Sequence, residues 1–338
     1  PERAFYLQRI FIDGALPAMA LPPILRDRLR LPVIGSPLFI ISGPELVMAQ
    51  CRAGIIGSFP SLNARPLAQF EEWLQRLSTE LGPNDAPYAV NLIVHRSNDR
   101  LMDDLALCVK YKVPMIITSL GAREDVNEAI HSYGGIVMHD IINNKFAKKA
   151  VEKGADGLIA VAAGAGGHAG TTSPFALIRE IREWFDGPLA LSGSIATGEA
   201  VLAAQAMGAD FGYIGSAFIA TQEARAVQDY KDMITQSESS DIVYSNLFTG
   251  VHGNYLRPSI VKAGMDPDNL PTSDPSAMNF GSGGNTDAKA WKDIWGCGQG
   301  IGAVKSVLSA GEYVAKLVSE YEAAKARIGL GPVAVAAE

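Results

Sequence analysis

Eight short apolar runs recur between residues 33 and 217: VIGSPLF (33–39), GIIGSF (54–59), YAVNLIV (88–94), VPMIITSL (113–120), GIVMHDI (135–141), GLIAVAA (157–163), PLALSGS (188–194) and FGYIGSA (211–217). They lack strict polar alternation, as expected of parallel strands buried on both faces. The stretches between them, among them ARPLAQFEEWLQRLSTEL, DRLMDDLALCVKYK and GEAVLAAQAMGAD, carry apolar residues at helical spacing. Eight such alternations predict an α/β fold, a (β/α)8 TIM barrel, with a doubly wound sheet of more strands as the competing architecture. Two stretches end in GAD, at 154–156 and 208–210, where glycine can close a helix in the left-handed conformation.

The alternation stops near residue 225. Residues 1–30 read as an N-terminal lead-in, 31–225 as the barrel, and 226–300 as a helical and loop cap. Residues 301–338 read as a final helix, from about Gly302 to Arg327, and a tail. A chain of 338 residues fits one barrel, and 48% hydrophobic with 19% charged residues gives a large core under a polar exterior. A formal charge of −7 without a basic stripe argues against nucleic acid and anionic membranes as partners. The three cysteines, Cys51, Cys108 and Cys297, form no CxxC pair, which fits a reducing, cytoplasmic setting and gives no zinc site. The apolar GALPAMALPP is broken by prolines and follows charged residues, unlike a signal peptide.

In a barrel of this kind the site lies at the C-terminal ends of the strands. Ser192, Gly193 and Ser194 end the seventh run, while Gly215 and Ser216 follow the core of the eighth. Neighbouring ends there commonly bind a phosphate through the N–H groups of small residues. After the sixth run comes GAGGHAGTTSP (164–174). It matches G-x-G-x-x-A, but the helix is delayed to Ser173 and Pro174, and Asp186 precedes the next strand instead of ending it, so a dinucleotide fingerprint is not formed. The glycines instead make room for a flat ring system over the barrel mouth, with His168 facing it as a base available near neutral pH. His95, His131, His139 and His252 carry no such context.

GAGGHAGTTSPFALIREIR, LSGSIATGEAVLAAQAMGADFGYIGSAFIATQEA and LPVIGSPLFIISGPELVMAQCRAGIIGSFP resemble the nitronate monooxygenases, formerly 2-nitropropane dioxygenases, over residues 31–225. GNYLRPSI and WGCGQGIGAV agree more weakly, and the G-G-H-x-G element is shared with flavin-dependent enoyl-ACP reductases. The resemblance implies an FMN-dependent enzyme that oxidises alkyl nitronates, or nitroalkanes, with O₂ to a carbonyl compound and nitrite. Propionate 3-nitronate is one such substrate. By the same resemblance Ser192, Gly193, Ser194, Gly215 and Ser216 bind the FMN phosphate, while Pro37, Leu38, Phe39, Asn91 and Gly167 lie along the ring. His168 corresponds to the family's catalytic base, and Ser119 and His139 are candidate substrate donors. Some relatives carry a lysine near the end of the fifth strand, where this chain has Asp140. The partners expected are a small-molecule substrate and O₂, with homo-oligomerisation left open. An NAD(P)H-dependent FMN reductase acting on a quinone or enoyl thioester and a flavin-binding scaffold without turnover are the alternatives.

Overall fold

The computed structural model describes residues 22–273 and 294–330. Its centre is built from β1 (Val33–Gly35), β2 (Gly57–Pro60), β3 (Tyr88–Ile93), β4 (Met115–Ser119), β5 (Ile136–Ile141) and β6 (Gly157–Val161). A two-residue strand, β7 (Gly167–His168), lies outside this sheet, and β8 (Leu189–Ser192) and β9 (Phe211–Ile214) complete it. All eight run parallel in the order β1-β9-β8-β6-β5-β4-β3-β2. A bridge between Ile34 and Ile56 joins the two edges, with Gly35 N donating to Ile56 O at 2.7 Å. The sheet therefore closes, and the fold is the (β/α)8 barrel that the eight runs imply.

Side chains at alternate positions fill the barrel. Ile34, Ala89, Met115, Ile117, Ile136, Met138, Ile159, Ala190, Phe211 and Tyr213 belong to one buried cluster. The opposite strand faces pack against the helices. In the helix Leu67–Glu80, for example, Phe70, Trp73, Leu74 and Leu77 form one buried stripe at spacings of three and four. Each such side chain contributes about 1.5–3 kcal/mol of burial. Gly154 and Gly208 take left-handed φ values of 91° and 111° beyond the helices Asn144–Glu152 and Gly198–Met207, as the two GAD sequences require.

Three boundaries differ from the sequence pattern. The run 33–39 is strand only to Gly35, because the chain then turns into a loop with Ile40 at a left-handed φ of 69°. The side chain of Asn63 holds that loop, accepting from Ile40 N and donating to the carbonyls of Leu38 and Ser42. The cap is not purely helix and loop: β10 (Ile242–Ser245) and β11 (Gly253–Leu256) form an antiparallel hairpin between the helices Gln228–Gln236 and Arg257–Lys262. The final helix begins at Ala310, not near Gly302, because Ser309 and Glu312 form a reciprocal capping box there. Most of the expected lead-in, residues 274–293 of the expected cap and residues 331–338 of the expected tail lie outside the described residues.

Candidate active site

The segment after β6 is shaped by glycines with different duties. A methyl group at Gly164 would collide with Ser194 Oγ, and one at Gly166 would lie 2.7 Å from Gly298 N and 2.9 Å from Ser216 Oγ. Gly167 is the opposite case. Its φ is +64°, and nothing lies within 4 Å of the position a Cβ would take. The first two glycines let three loops converge, while the third leaves an open face.

The bare loop is tied down by the cap. β7 pairs antiparallel with β11, Gly167 opposite Asn254 and His168 opposite Gly253, giving a sheet in the order β10-β11-β7. Asn254, buried, donates through Nδ2 to Ala165 O at 2.7 Å. Ala169 N donates to His252 O at 3.2 Å, and Tyr244 OH donates to Ala169 O at 3.1 Å. His168 is thereby carried on a strand, not on a loose glycine-rich turn.

Its ring orientation follows from one hydroxyl. Thr249 Oγ1 donates to Val251 O at 2.9 Å and lies 3.1 Å from His168 Nε2. A hydroxyl has a single proton, and with it given to Val251 O, Thr249 can accept from His168 Nε2–H, the tautomer that puts a lone pair on Nδ1. Burial pushes the imidazole pKa down from 6.5 to about 4. At pH 7 His168 is therefore neutral and able to accept a proton.

The small-residue loops expected to bind an anion do stand side by side. The N–H groups of Gly193, Gly215 and Ser216 donate to no acceptor among the described residues, and Gly193 is buried. Ser194 N is already used by Gly164 O at 3.3 Å. Ser216 Oγ accepts from Gly298 N at 2.8 Å, which joins the 297–300 segment to the same place. Buried N–H groups without acceptors are costly unless a ligand accepts from them. Ser192 ends β8, half-buried on its rim.

Pro37, Leu38 and Phe39 form the loop above β1, where Phe39 is 37% exposed. Asn91 donates to Ile117 O and to Ser119 Oγ, each at 3.0 Å, so these two candidates form one unit. His139 is elsewhere. On β5 the interior positions are Ile136 and Met138, while Val137 packs in the outer core, so His139 faces the helix layer. There it meets Thr118 Oγ1 at 2.6 Å, and burial lowers its pKa to about 4. The period of two that puts His139 outside puts Asp140 inside. A substrate-donor role for His139 is incompatible with that position.

Other residues serve the scaffold. His131 bonds to Asp156 at 2.8 Å on the surface, His95 to Ser97, and His252 stacks on Tyr244. Tyr255 lies in the cap's own core, and Trp295 stacks on Tyr230 at 4.7 Å. No group of three His, Cys, Asp or Glu placed to hold a metal occurs among the described residues, and no helix there is long and apolar enough to cross a membrane.

Residues 63–320 match the family model for nitronate monooxygenase. The chain belongs to the nitronate monooxygenase family. Among its relatives is the nitronate monooxygenase of Paraburkholderia phytofirmans, 25% identical over 340 residues, covering 86% of this chain and 91% of that protein. A Mycobacterium tuberculosis protein named for monooxygenase activity is 28% identical over 230 residues, which span 64% of this chain and only 61% of the relative. In structure the chain is similar to nitroalkane oxidase from Streptomyces ansochromogenes, with a TM-score of 0.76 and 23% identity over 90% of this chain and 99% of the other. The family is one of oxidoreductases. Within the family frame, Thr249, Asn254 and Tyr244 are contributors that motif reading missed. GNYLRPSI contains Asn254, but nothing in its spacing links it to a loop almost ninety residues earlier.

Proposed function

We propose that the chain is an FMN-dependent nitronate monooxygenase, converting an alkyl nitronate and O₂ to a carbonyl compound and nitrite. The observation that carries this reading is the pairing of a neutral His168, held on Thr249, with the open, left-handed Gly167 beside it, near strand ends where the N–H groups of Gly193, Gly215 and Ser216 have no acceptor among the described residues. Those N–H groups, from Gly193, Gly215 and Ser216, suit a phosphate, with Ser192 and Ser194 on the rim. Pro37, Leu38, Phe39, Asn91 and Gly167 suit the ring. FMN, when bound, supplies the electron transfer and the reaction with O₂.

The chain's own work is placement and proton movement. With Nε2–H fixed on Thr249, the lone pair at Nδ1 can remove the α-proton of a neutral nitroalkane, whereas a nitronate needs no such step. Asn91 and Ser119 hold each other on the interior face and define the floor of the mouth. The cap hairpin covers the loop and limits water at the base.

The test is an absorbance spectrum of the purified protein, followed by oxygen-electrode and nitrite assays with propionate 3-nitronate and, separately, with NADH. A yellow protein that consumes oxygen and releases nitrite with the nitronate is expected. One that is silent to nitronates and is bleached by NADH is instead a reductase, and one that cannot take up FMN refutes the cofactor assignment. His168→Ala should keep FMN and lose most turnover with the neutral nitroalkane.

A further inference from the structure

One polar side chain of the barrel mouth has no part in the scheme above. Asp140 follows Ile136 and Met138 on the interior face of β5, one residue from the strand's end. Among the described residues its carboxyl has no hydrogen-bond or ion-pair partner. Its surroundings can be named strand by strand. The register places Ser119 of β4 next to it on one side and Ile159 of β6 on the other. From β9 comes Tyr213, whose phenol is made a weaker acid first by burial and then by the charge of Asp140. His168 stands on β7, beyond β6. Among the described residues no Lys or Arg offsets the carboxylate, and the buried aspartates of the scaffold show what is missing. Asp104 is held by Arg100 at 2.8 Å and Ser61 at 2.7 Å, and Asp210 by Arg182 and Leu189 N.

Asp140 is half-buried, and a carboxyl at the mouth without a protein partner among the described residues is open to one supplied by a ligand. We infer that Asp140 contacts the flavin bound in the mouth and, as the neutral acid, donates a hydrogen bond to it. The inference rests on the flavin reading above. Burial pushes the carboxyl up to about 7, so the protonated form is present at neutral pH and is lost as the pH rises. An ionised carboxylate in the same place can only accept and would repel an electron-rich ring, so the flavin is held more weakly above that value. A neutral acid that donates is also the form that tolerates reduction of the ring nearby.

The experiment titrates FMN-loaded wild type, Asp140→Asn and His168→Gln from pH 5.5 to 8.5, reading the absorbance of the bound oxidised flavin and its dissociation constant. In wild type and His168→Gln the dissociation constant should rise by up to tenfold per unit above about pH 7, and the spectrum of the bound flavin should shift at a higher pH, because a ligand that takes the donated hydrogen bond holds the proton on Asp140. Asp140→Asn keeps a donor and cannot ionise, so its spectrum should stay at the acid form of wild type across the range. A wild-type spectrum and affinity that do not change with pH overturn the inference, even if Asp140→Asn fails to fold. So does a transition that survives in Asp140→Asn, which would assign it to Tyr213 or His168. A protein that takes up no FMN at any pH overturns the cofactor reading and this inference together, whereas FMN binding without the titration overturns this one alone.

Discussion

Thr249→Val tests the proton-transfer role proposed for His168. The valine has nearly the threonine's shape but cannot accept the Nε2–H that lies 3.1 Å from the hydroxyl. A neutral hydrogen bond of this kind contributes about 0.5–1.5 kcal/mol, and its loss lets the imidazole rotate and exchange tautomers. At 1.4 kcal/mol per factor of ten, the proton-abstraction step should slow roughly three- to tenfold. The loss is specific to substrate form. A neutral nitroalkane must give up its α-proton and should show the full decrease in kcat/KM, while the preformed nitronate should react within about twofold of wild type. The assay is initial-rate oxygen consumption with the two forms of one nitroalkane, the nitronate prepared in base and added immediately before measurement. An equal decrease for both forms would mean that Thr249 acts by holding the cap or the cofactor. An unchanged rate with the neutral form would remove the oriented-base account.

Asn254→Leu deletes the donor to Ala165 O and leaves that buried carbonyl without a partner, a loss of about 1–3 kcal/mol; thermal unfolding should fall by several degrees, and an unchanged midpoint would show that β7 does not depend on the side chain. Gln50 is fully buried against Gly35 and Gly57, with both amide atoms lacking partners among the described residues, so Gln50→Met should raise the urea midpoint by the equivalent of about 1 kcal/mol; a lower midpoint would mean the amide is satisfied. His139 and His168 both have pKa values lowered to about 4, so the unfolded chain binds more protons than the native one between pH 4 and 6.5, and each histidine makes stability fall by up to about 1.4 kcal/mol per unit as the pH drops through that window. Asp140, with its pKa raised to about 7, acts in the opposite sense from about pH 4 to 7, because there the native state holds the extra proton. Urea unfolding of wild type and His139→Gln at pH 5 and 6.5 should therefore show a smaller acid loss in the variant, and equal losses would refute the buried neutral imidazole.

The barrel was legible because its evidence is local and repeated. Buried parallel strands must be apolar throughout, and the glycines at 154 and 208 announce helix ends through a φ that other residues resist. The placement of the two small-residue loops and of His168 at the barrel mouth was legible for a related reason, since a parallel barrel gathers the strand ends on one side whatever the details of the chain. Strand ends themselves were less so: VIGSPLF is apolar to Phe39, yet it leaves the sheet at Gly35 because Asn63, from the next strand's end, captures the loop. His139 and Asp140 show the limit most clearly. They are neighbours in sequence, and only the register of β5 decides which of them faces the mouth.

What the sequence by itself determined was the eightfold alternation, the loops that line the mouth and the one histidine among glycines. Tertiary structure alone decided that this histidine rides on a strand added to the cap hairpin, that Thr249 meets its Nε2, and that Asp140 faces the barrel interior without a partner among the described residues. The physical reason is range. Apolar periodicity and glycine conformations are properties of a few adjacent residues, while the hydrogen bonds that position His168 and its loop join segments about eighty residues apart, and no local pattern encodes which partner the folded chain will bring.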